Sequence, residues 1–303
     1  MVIRINKKLL LVCFMACLTL LSAYIITTDK EVLADNLSEG TEIPIIMYHH
    51  VTEDPKRSNN YTVTSEELEK DFLYLKNKGY NTVTTDMLVD YVENGVPLPD
   101  NPIMLTFDDG FESFYVLAYP LLKKYNYKAV LSVIGSVTEK YTALNDHNIN
   151  YSNLTWDEIK EMHNSGYVEI QSHSYDMHHN ESGKRKGVSA LKYESYSEYR
   201  KAIGDDLIKM NMLLKDRAGI TVTAIAYPFG AYSKDTVKVI KSLGFKASFS
   251  CEERISFITV GSKDSLYNLG RFNRMSGVSS ENFFTKILHK SIRKSGEAQS
   301  LTA

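Results

Sequence analysis

The sequence predicts an α/β protein, a distorted (β/α) barrel of about seven parallel strands in a single domain. Short apolar runs that are typical of strands alternate with amphipathic runs that are typical of helices from Ile43 onward. Such repeated βα units indicate a parallel sheet covered by helices, and this many units in one chain favour a closed or nearly closed barrel. The 303 residues are sufficient to bury a sizeable core, and they contain no internal repeat.

The strands are predicted from runs rich in β-branched and aromatic residues that are bounded by turn-forming residues. In chain order they are Ile43–Tyr48, Asn81–Thr85, Ile103–Phe107, Lys128–Ile134, Val168–Gln171, Val222–Tyr227, Ala247–Ser250 and Tyr267–Phe272. Two long polar stretches between these elements, Ser136–Asn153 and Asn180–Tyr196, are predicted to be loops.

The helices are predicted from apolar residues at helical spacing and from signals at their ends. Capping boxes open two of them, with Thr64 and Glu67 before one and Thr155 and Glu158 before the other. In chain order the helices are Ser65–Lys78, a short helix from Asp86, Tyr115–Tyr125, Thr155–Ser165, about Ser197–Lys215, Ser233–Leu243 and Ser280–His289. The helix at about Ser197–Lys215 has an apolar stripe, which consists of Tyr199, Ile203, Leu207, Met210 and Leu214.

The N-terminal residues indicate export. Three basic residues precede an apolar stretch from Leu9 to Ile26, the order of a secretory signal or an uncleaved anchor. The stretch is longer than a usual signal core and slightly shorter than the roughly 20 residues that span a bilayer, so both outcomes stay open. We therefore predict a signal peptide or membrane anchor in residues 1–34, a linker in 35–42, the folded domain in 43–290 and a disordered tail in 291–303. The domain is expected outside the cell, secreted or tethered to the outer face of the cytoplasmic membrane by residues 9–26.

Composition excludes several classes of protein. With 43% apolar and 24% charged residues, the chain is neither a disordered scaffold nor a multi-span membrane protein. The net charge is -2 and no basic stripe stands out, so a nucleic-acid partner is not expected. Cys13 and Cys17 lie in the N-terminal apolar stretch, which leaves Cys251 alone in the exported part and excludes an internal disulfide there. We interpret Cys251 as a small buried apolar residue.

Chemically active side chains follow the predicted strands. Asp108 and Asp109 come after Ile103–Phe107, and His173 comes after Val168–Gln171, with His178 five residues later. One aspartate and two histidines make a three-ligand set for a divalent metal that leaves a position for water, which points to metal-assisted hydrolysis. A break in the strand would let one carboxylate bind the metal while its neighbour serves as a base.

Each motif alone also has a structural interpretation. The aspartate pair with Gly110 could be a solvated turn. A spacing of five places two histidines on one face of neither a helix nor a strand, so they converge only across a turn such as Ser174–Met177. His179 is an alternative ligand that we expect to face solvent.

Three segments together resemble the NodB-homology polysaccharide deacetylases, carbohydrate esterase family four. They are Thr106–Gly110 with the sequence TFDDG, His173–His178 with the sequence HSYDMH, and Met47–Val51 with the sequence MYHHV. The last two look like the branch that deacetylates poly-β-1,6-N-acetylglucosamine in biofilm matrices. The resemblance spans Ile43 to about Phe284 and implies a barrel fold with a single catalytic domain.

The resemblance implies a role for each motif residue. Asp108 is the general base, and Asp109, His173 and His178 are the metal ligands. His49 lines the site, where its alternative interpretation is a structural histidine at a strand end. Zinc is the expected cofactor, although an Asp-His-His set also suits cobalt or nickel.

Two family motifs are altered here. Ala226–Phe229 stands where the family has Arg-x-Pro-Tyr. The backbone N–H of Phe229 can still donate a hydrogen bond to an oxyanion. Ala226 cannot replace an arginine, so the group that orients the base must come from elsewhere. The family's late histidine, which protonates the leaving amine, has no match near Asn268–Phe272. His49 or water on the metal could donate that proton. Arg271 could hold substrate but is too weak an acid to donate one.

The expected function is therefore removal of N-acetyl groups from an extracellular polysaccharide of N-acetylglucosamine type, whether poly-β-1,6-N-acetylglucosamine, peptidoglycan or a chitin-like glycan. Two alternatives stay open, an O-acetyl polysaccharide esterase and a non-catalytic glycan-binding module on the same fold. We expect the polysaccharide to be the partner and the N-terminal segment to be the only part that contacts a membrane. The expected oligomeric state is a monomer. No residue is assigned to substrate binding.

Overall fold

The computed structural model describes residue 15 and residues 40–287. Apart from residue 15, the predicted leader in residues 1–34 lies outside the described residues. Most of the linker, the tail in 291–303, Cys13 and Cys17 also lie outside them, so these assignments stay predictions. Across the described part of the chain, no helix is both long enough and apolar enough to cross a bilayer. The chain divides into two compact units, Met1–Thr41 and Glu42–Ala303, and the second contains the fold described below.

The central sheet has eight parallel strands, seven of which follow one another along a single path. In chain order the strands are β1 (Thr41–Ile43), β2 (Ile45–Tyr48), β3 (His50–Thr52), β4 (Thr62–Thr64), β5 (Asn81–Thr82), β6 (Pro102–Phe107), β7 (Ala129–Val133), β8 (Val168–Ser172), β9 (Ala224–Ala226), β10 (Ala247–Phe249), β11 (Ser256–Ile258) and β12 (Phe272–Asn273). The central order is β10-β9-β8-β7-β6-β2-β12, with β5 paired to β6 beside it and β3 paired to β4 in a separate ribbon. Every residue of β6 from Ile103 to Phe107 is buried, as expected for a parallel strand covered on both faces.

The two ends of the sheet meet through the segment that leads into β12. Phe272 pairs in parallel with Ile46 of β2 at one end of this segment. At the other end, Leu269 forms a parallel bridge with Phe249 of β10, and its N–H donates to the Ser248 carbonyl at 2.8 Å. The predicted distorted barrel of about seven parallel strands is therefore confirmed.

Helices cover the outside of the sheet. They are α1 (Ser65–Asn77), α2 (Thr85–Asn94), α3 (Tyr119–Tyr125), α4 (Gly135–Leu144), α5 (Trp156–Asn164), α6 (Tyr196–Leu213) and α7 (Thr236–Ser242), with residues 280–287 also helical. Both predicted capping boxes are present, at Thr64 before α1 and Thr155 before α5. The predicted stripe along α6 and the turn after it is buried at each of its five positions: Tyr199, Ile203, Leu207, Met210 and Leu214.

Some element predictions were wrong. Ser136–Asn153 was predicted to be a loop, but α4 occupies its first half. This helix buries only Gly135 and Thr138, so no apolar stripe marks it in the sequence. The predicted strand Tyr267–Phe272 is reduced to β12, because residues 267–271 connect the two ends of the barrel instead of pairing along one neighbour. By contrast, residues 180–195 contain no helix or strand, as predicted.

Candidate active site

The aspartate pair lies where β6 ends. The N–H of Asp108 still donates to the Tyr48 carbonyl at 3.0 Å, which continues the pairing with β2. Asp109 and Gly110 then both take left-handed backbone conformations, each with φ of 72°. This break in the strand ends the alternation of side chains between two faces, so neighbouring carboxylates reach one site.

A tight turn brings the two histidines together. His173 follows β8, and Ser174 has a left-handed φ of 73°. The Ser174 hydroxyl accepts the Met177 N–H at 3.0 Å, and the carboxylate of Asp206 on α6 accepts the N–H groups of the two residues between them, each at 2.8 Å. The ring centroids of His173 and His178 consequently lie 5.2 Å apart.

Asp109 and the two histidines form a three-ligand set. The Asp109 Oδ1 atom lies 3.4 Å from His173 Nε2 and 3.3 Å from His178 Nε2. The Nδ1–H of His173 donates to the Ala226 carbonyl at 2.8 Å, which leaves the Nε2 lone pair facing Asp109. Asp109 Oδ1 is buried and has no hydrogen-bond partner among the described residues. One carboxylate oxygen and two imidazole nitrogens converge without bonding one another, so the donor set fits a divalent metal.

Asp108 is paired with an arginine that the sequence analysis assigned differently. Arg271 Nη1 and Nη2 donate to the two carboxylate oxygens of Asp108, each at 2.8 Å, and Arg271 Nε donates to the Ser250 carbonyl at 2.9 Å. Burial opposes ionisation of Asp108, but the adjacent Arg271 charge holds the pKa of Asp108 well below its usual range. Asp108 is therefore ionised and oriented.

The substrate contact considered for Arg271 was wrong. Its side chain is 0% exposed, so it cannot reach a polysaccharide. Arg271 instead supplies the positive charge beside Asp108. Ala226 cannot supply this charge, although it stands where the family has an arginine. A signal was present in the sequence, because an arginine inside a predicted strand of the barrel needs an anionic partner if it is buried.

His49 faces the same cavity as the ligand set. Its ring packs edge-on against Tyr61, with centroids 5.3 Å apart, and its Nδ1 atom is buried with no hydrogen-bond partner among the described residues. Burial lowers the pKa of His49 below its usual value, although Asp108 and Asp109 oppose the shift. Its neighbour His50 contacts a different loop, with Nε2 3.0 Å from the Ile149 carbonyl.

Phe229 lies in the turn after β9. Its φ of 58° is left-handed, and its ring centroid is 4.2 Å from that of His178. No described residue accepts a hydrogen bond from the Phe229 N–H, which leaves this donor available to a ligand.

A cavity of about 660 Å³ contains all six predicted site residues. They are Asp108, Asp109, His173, His178, His49 and Phe229. Tyr61, Asn180 and Lys186 also line this cavity. Cys251 also lines the cavity and is half-buried, so it is less buried than the interpretation as a small buried apolar residue implied. Burial raises the pKa of its thiol, which disfavours a nucleophilic thiolate. His179 is partly exposed beside Asp176 and is absent from this cavity.

Known proteins resemble this chain in sequence and in fold. A profile of the polysaccharide deacetylase family matches residues 95–248. The chain is 32% identical to the poly-β-1,6-N-acetyl-D-glucosamine N-deacetylase of Staphylococcus aureus strain MRSA252, over 69% of this chain and 67% of that protein. It is 25% identical to the protein of the same name from Escherichia coli strain K12 over 83% of this chain, and it spans only 41% of the length of that relative.

A solved structure agrees with the sequence comparison. The de-N-acetylase from Aggregatibacter actinomycetemcomitans superimposes with a TM-score of 0.67 and 28% identity, over 80% of this chain and 96% of that one. The chain therefore belongs to the polysaccharide deacetylase family, and the resemblance stated from its motifs is confirmed.

Proposed function

We propose that this protein is a metal-dependent hydrolase that removes N-acetyl groups from a polysaccharide of N-acetylglucosamine type. The observation that carries the proposal is an ionised, oriented Asp108 in the same cavity as the ligand set of Asp109, His173 and His178. A module that only bound glycans would need neither a base nor metal ligands. The names of the relatives favour poly-β-1,6-N-acetylglucosamine as the first substrate to test.

Three described residues would hold the metal. Asp109, His173 and His178 offer one ligand atom each, and these atoms lie within 4.8 Å of one another. Zinc is the first candidate, and the mixed nitrogen and oxygen donors also suit cobalt or nickel. When bound, the metal supplies Lewis acidity toward a carbonyl oxygen and toward water.

Asp108 takes a proton from the attacking water. Each carboxylate oxygen has two lone pairs, so Asp108 can accept a proton in the cavity while both of its oxygens stay bonded to Arg271. Arg271 keeps the carboxylate ionised and fixes its plane. Because the pKa of Asp108 is low, this base depends on the Lewis acidity at the ligand set to make the water acidic enough.

Two further groups act on the acetamide group of the substrate. The unbonded N–H of Phe229 donates to the oxyanion that forms at the carbonyl. His49 protonates the amine as it leaves, and its lowered pKa makes its protonated form a stronger acid than an ordinary imidazolium. Acetate and a glucosamine unit that stays in the polysaccharide with a free amine are the products.

We also propose that the reaction takes place outside the cell. The basic and apolar order of residues 1–34 supports export, with the protein secreted or tethered by residues 9–26. The polysaccharide is then the partner, and we propose a monomer that contacts the membrane only through its N-terminal segment.

The test is acetate release by the full-length protein loaded with zinc. Substrates are oligomers of β-1,6-linked N-acetylglucosamine, chitin oligomers, peptidoglycan fragments and O-acetylated xylan, with Asp108→Asn as the control. Release from at least one N-acetylated glycan, lost with a chelator and with the variant, supports the proposal. Release from the ester alone would identify an O-acetyl esterase, and glycan binding without any release would identify a binding module.

A further inference from the structure

A second group of metal-type side chains lies outside the catalytic site. Glu112 follows the TFDDG motif by two residues, His147 lies in the loop after α4, and Glu158 lies in the first turn of α5. One ligand atom from each lies within 4.8 Å of the others. We propose that these three residues bind a second divalent transition-metal ion, of the zinc type, with a structural role.

The distances suit one small ion. His147 Nδ1 lies 3.1 Å from Glu112 Oε1 and 3.0 Å from Glu158 Oε1. Ligands about 2.0–2.2 Å from a tetrahedral zinc ion lie about 3.3 Å from one another, close to the separations here. The side chains of Glu112 and Glu158 are 2% and 11% exposed, whereas that of His147 is 43% exposed, so an ion could enter from the solvent side.

Hydrogen bonds leave one carboxylate oxygen of this cluster without a partner. Glu112 Oε2 is buried and has no partner among the described residues. His147 Nδ1 faces two carboxylate oxygens but carries at most one hydrogen. Its other nitrogen, Nε2, lies 3.3 Å from Asn145 Oδ1, an acceptor that can hold a hydrogen on Nε2 and so free the Nδ1 lone pair when a metal ion is bound. A metal-binding histidine commonly makes such a bond, and His173 makes an equivalent one to the Ala226 carbonyl.

The charges also favour a cation. Glu158 uses Oε2 to accept the Thr155 N–H and hydroxyl, both at 2.8 Å, so its other oxygen stays directed toward the cluster. Burial and the neighbouring Glu158 charge raise the pKa of Glu112 to about 7, although His147 opposes the shift, and a bound cation would relieve the repulsion between the two carboxylates. One imidazole nitrogen with two carboxylate oxygens favours a transition metal over calcium or magnesium, which prefer oxygen alone.

An ion here would stabilise the turn that contains Asp108, Asp109 and Gly110. Loop 145–153 already contacts that turn, because the Glu112 N–H donates to the Ser152 carbonyl and the Leu154 N–H to the Gly110 carbonyl, each at 2.9 Å. The Asn153 amide donates to the Asp109 carbonyl at 2.8 Å. An ion joining this loop, α5 and Glu112 would therefore hold the Asp108 and Asp109 backbone in place.

The experiment measures bound zinc in the full-length protein after zinc loading and removal of excess metal. We expect two equivalents in the unmodified protein, one in His147→Ala and one in His173→Ala. His163→Ala is the matched control, because His163 is a partly exposed histidine at the far end of α5, and it should keep two. Since His147 and His173 belong to separate sites, failure of one proposal is distinguishable from failure of the other.

A conservative variant separates metal loss from misfolding. Glu158→Gln keeps a side-chain oxygen that can cap α5 but lowers the affinity for the ion, so it should fold and lose one equivalent. Zinc should also slow hydrogen exchange at the Glu112 and Leu154 amides in the unmodified protein but not in His147→Ala. One equivalent in the unmodified protein, or two in a folded His147→Ala, would overturn the proposal and leave a proton shared between the two carboxylates.

Discussion

The buried pair of Arg271 and Asp108 is the most sensitive contact of the site. Replacing Arg271 with methionine keeps an unbranched side chain of similar length but removes the guanidinium from a position that is 0% exposed. Asp108, which is 2% exposed, would then keep a buried carboxylate without its main counter-charge. Two charge-assisted hydrogen bonds at 2.8 Å would be lost at once.

The magnitude follows from that geometry. A hydrogen bond to a charged group contributes about 1.5–3 kcal/mol, and breaking a buried ion pair by removing one partner costs about 3–5 kcal/mol. We therefore expect Arg271→Met to lower the free energy of unfolding by about 4 kcal/mol. The pKa of Asp108 should rise because burial then acts without the opposing charge. Turnover should fall roughly 10²-fold because the base is no longer held in place.

A double-mutant cycle separates loss of the pair from general disruption. Urea unfolding is measured for the unmodified protein, Arg271→Met, Asp108→Asn and the double variant, each loaded with zinc. The double variant should recover much of the stability lost in Arg271→Met, because it no longer buries an unpaired charge. Acetate release is measured for the unmodified protein and Arg271→Met. A loss below about 1 kcal/mol in Arg271→Met, with unchanged turnover, would refute the reasoning.

Four further outcomes are expected. His173→Ala should lose the catalytic metal and activity yet stay folded, as checked by metal analysis and circular dichroism; full occupancy of that site would contradict the ligand assignment. Asp108→Asn should keep that metal while turnover falls roughly 10²- to 10⁴-fold, and near-normal turnover would assign the base elsewhere. His49→Gln should slow amide hydrolysis far more than hydrolysis of an activated aryl ester, which needs no protonated leaving group; equal losses would limit His49 to positioning. In metal-free protein, the raised pKa values of Glu112 and His147 stabilise the fold at low pH, and this stabilisation should be lost as the pH rises from about 5 to about 8. The melting temperature should therefore fall as the pH rises, and this fall should be smaller in Glu112→Gln than in the unmodified protein. An equal fall in the two proteins would exclude the cluster as the source of the pH dependence.

Local patterns made several elements predictable. The capping boxes at Thr64 and Thr155 depend on residues three positions apart, and the stripe of α6 depends on helical spacing, so both can be read from a short stretch of sequence. Helix α4 was missed because it buries almost no apolar side chain. Periodicity reports a helix only where one of its faces enters the core.

The residues of the candidate site were found because their motifs are local. Asp108 and Asp109 are adjacent, and His173 and His178 share one turn, so short segments contain the ligand set and the base. The expectation that these segments meet followed from the parallel order of the strands, whose carboxyl ends share one end of a barrel.

Periodicity and motifs of a few residues were sufficient to predict the fold class, the family and the candidate side chains of the site. The partners of those side chains depend on the tertiary structure. Arg271 and Asp108 are 163 residues apart, and Glu112 meets His147 across a loop that no motif marks. Such pairs form when the register of β12 against β2 and the path of loop 145–153 are set by packing across the whole barrel. No short segment contains that information.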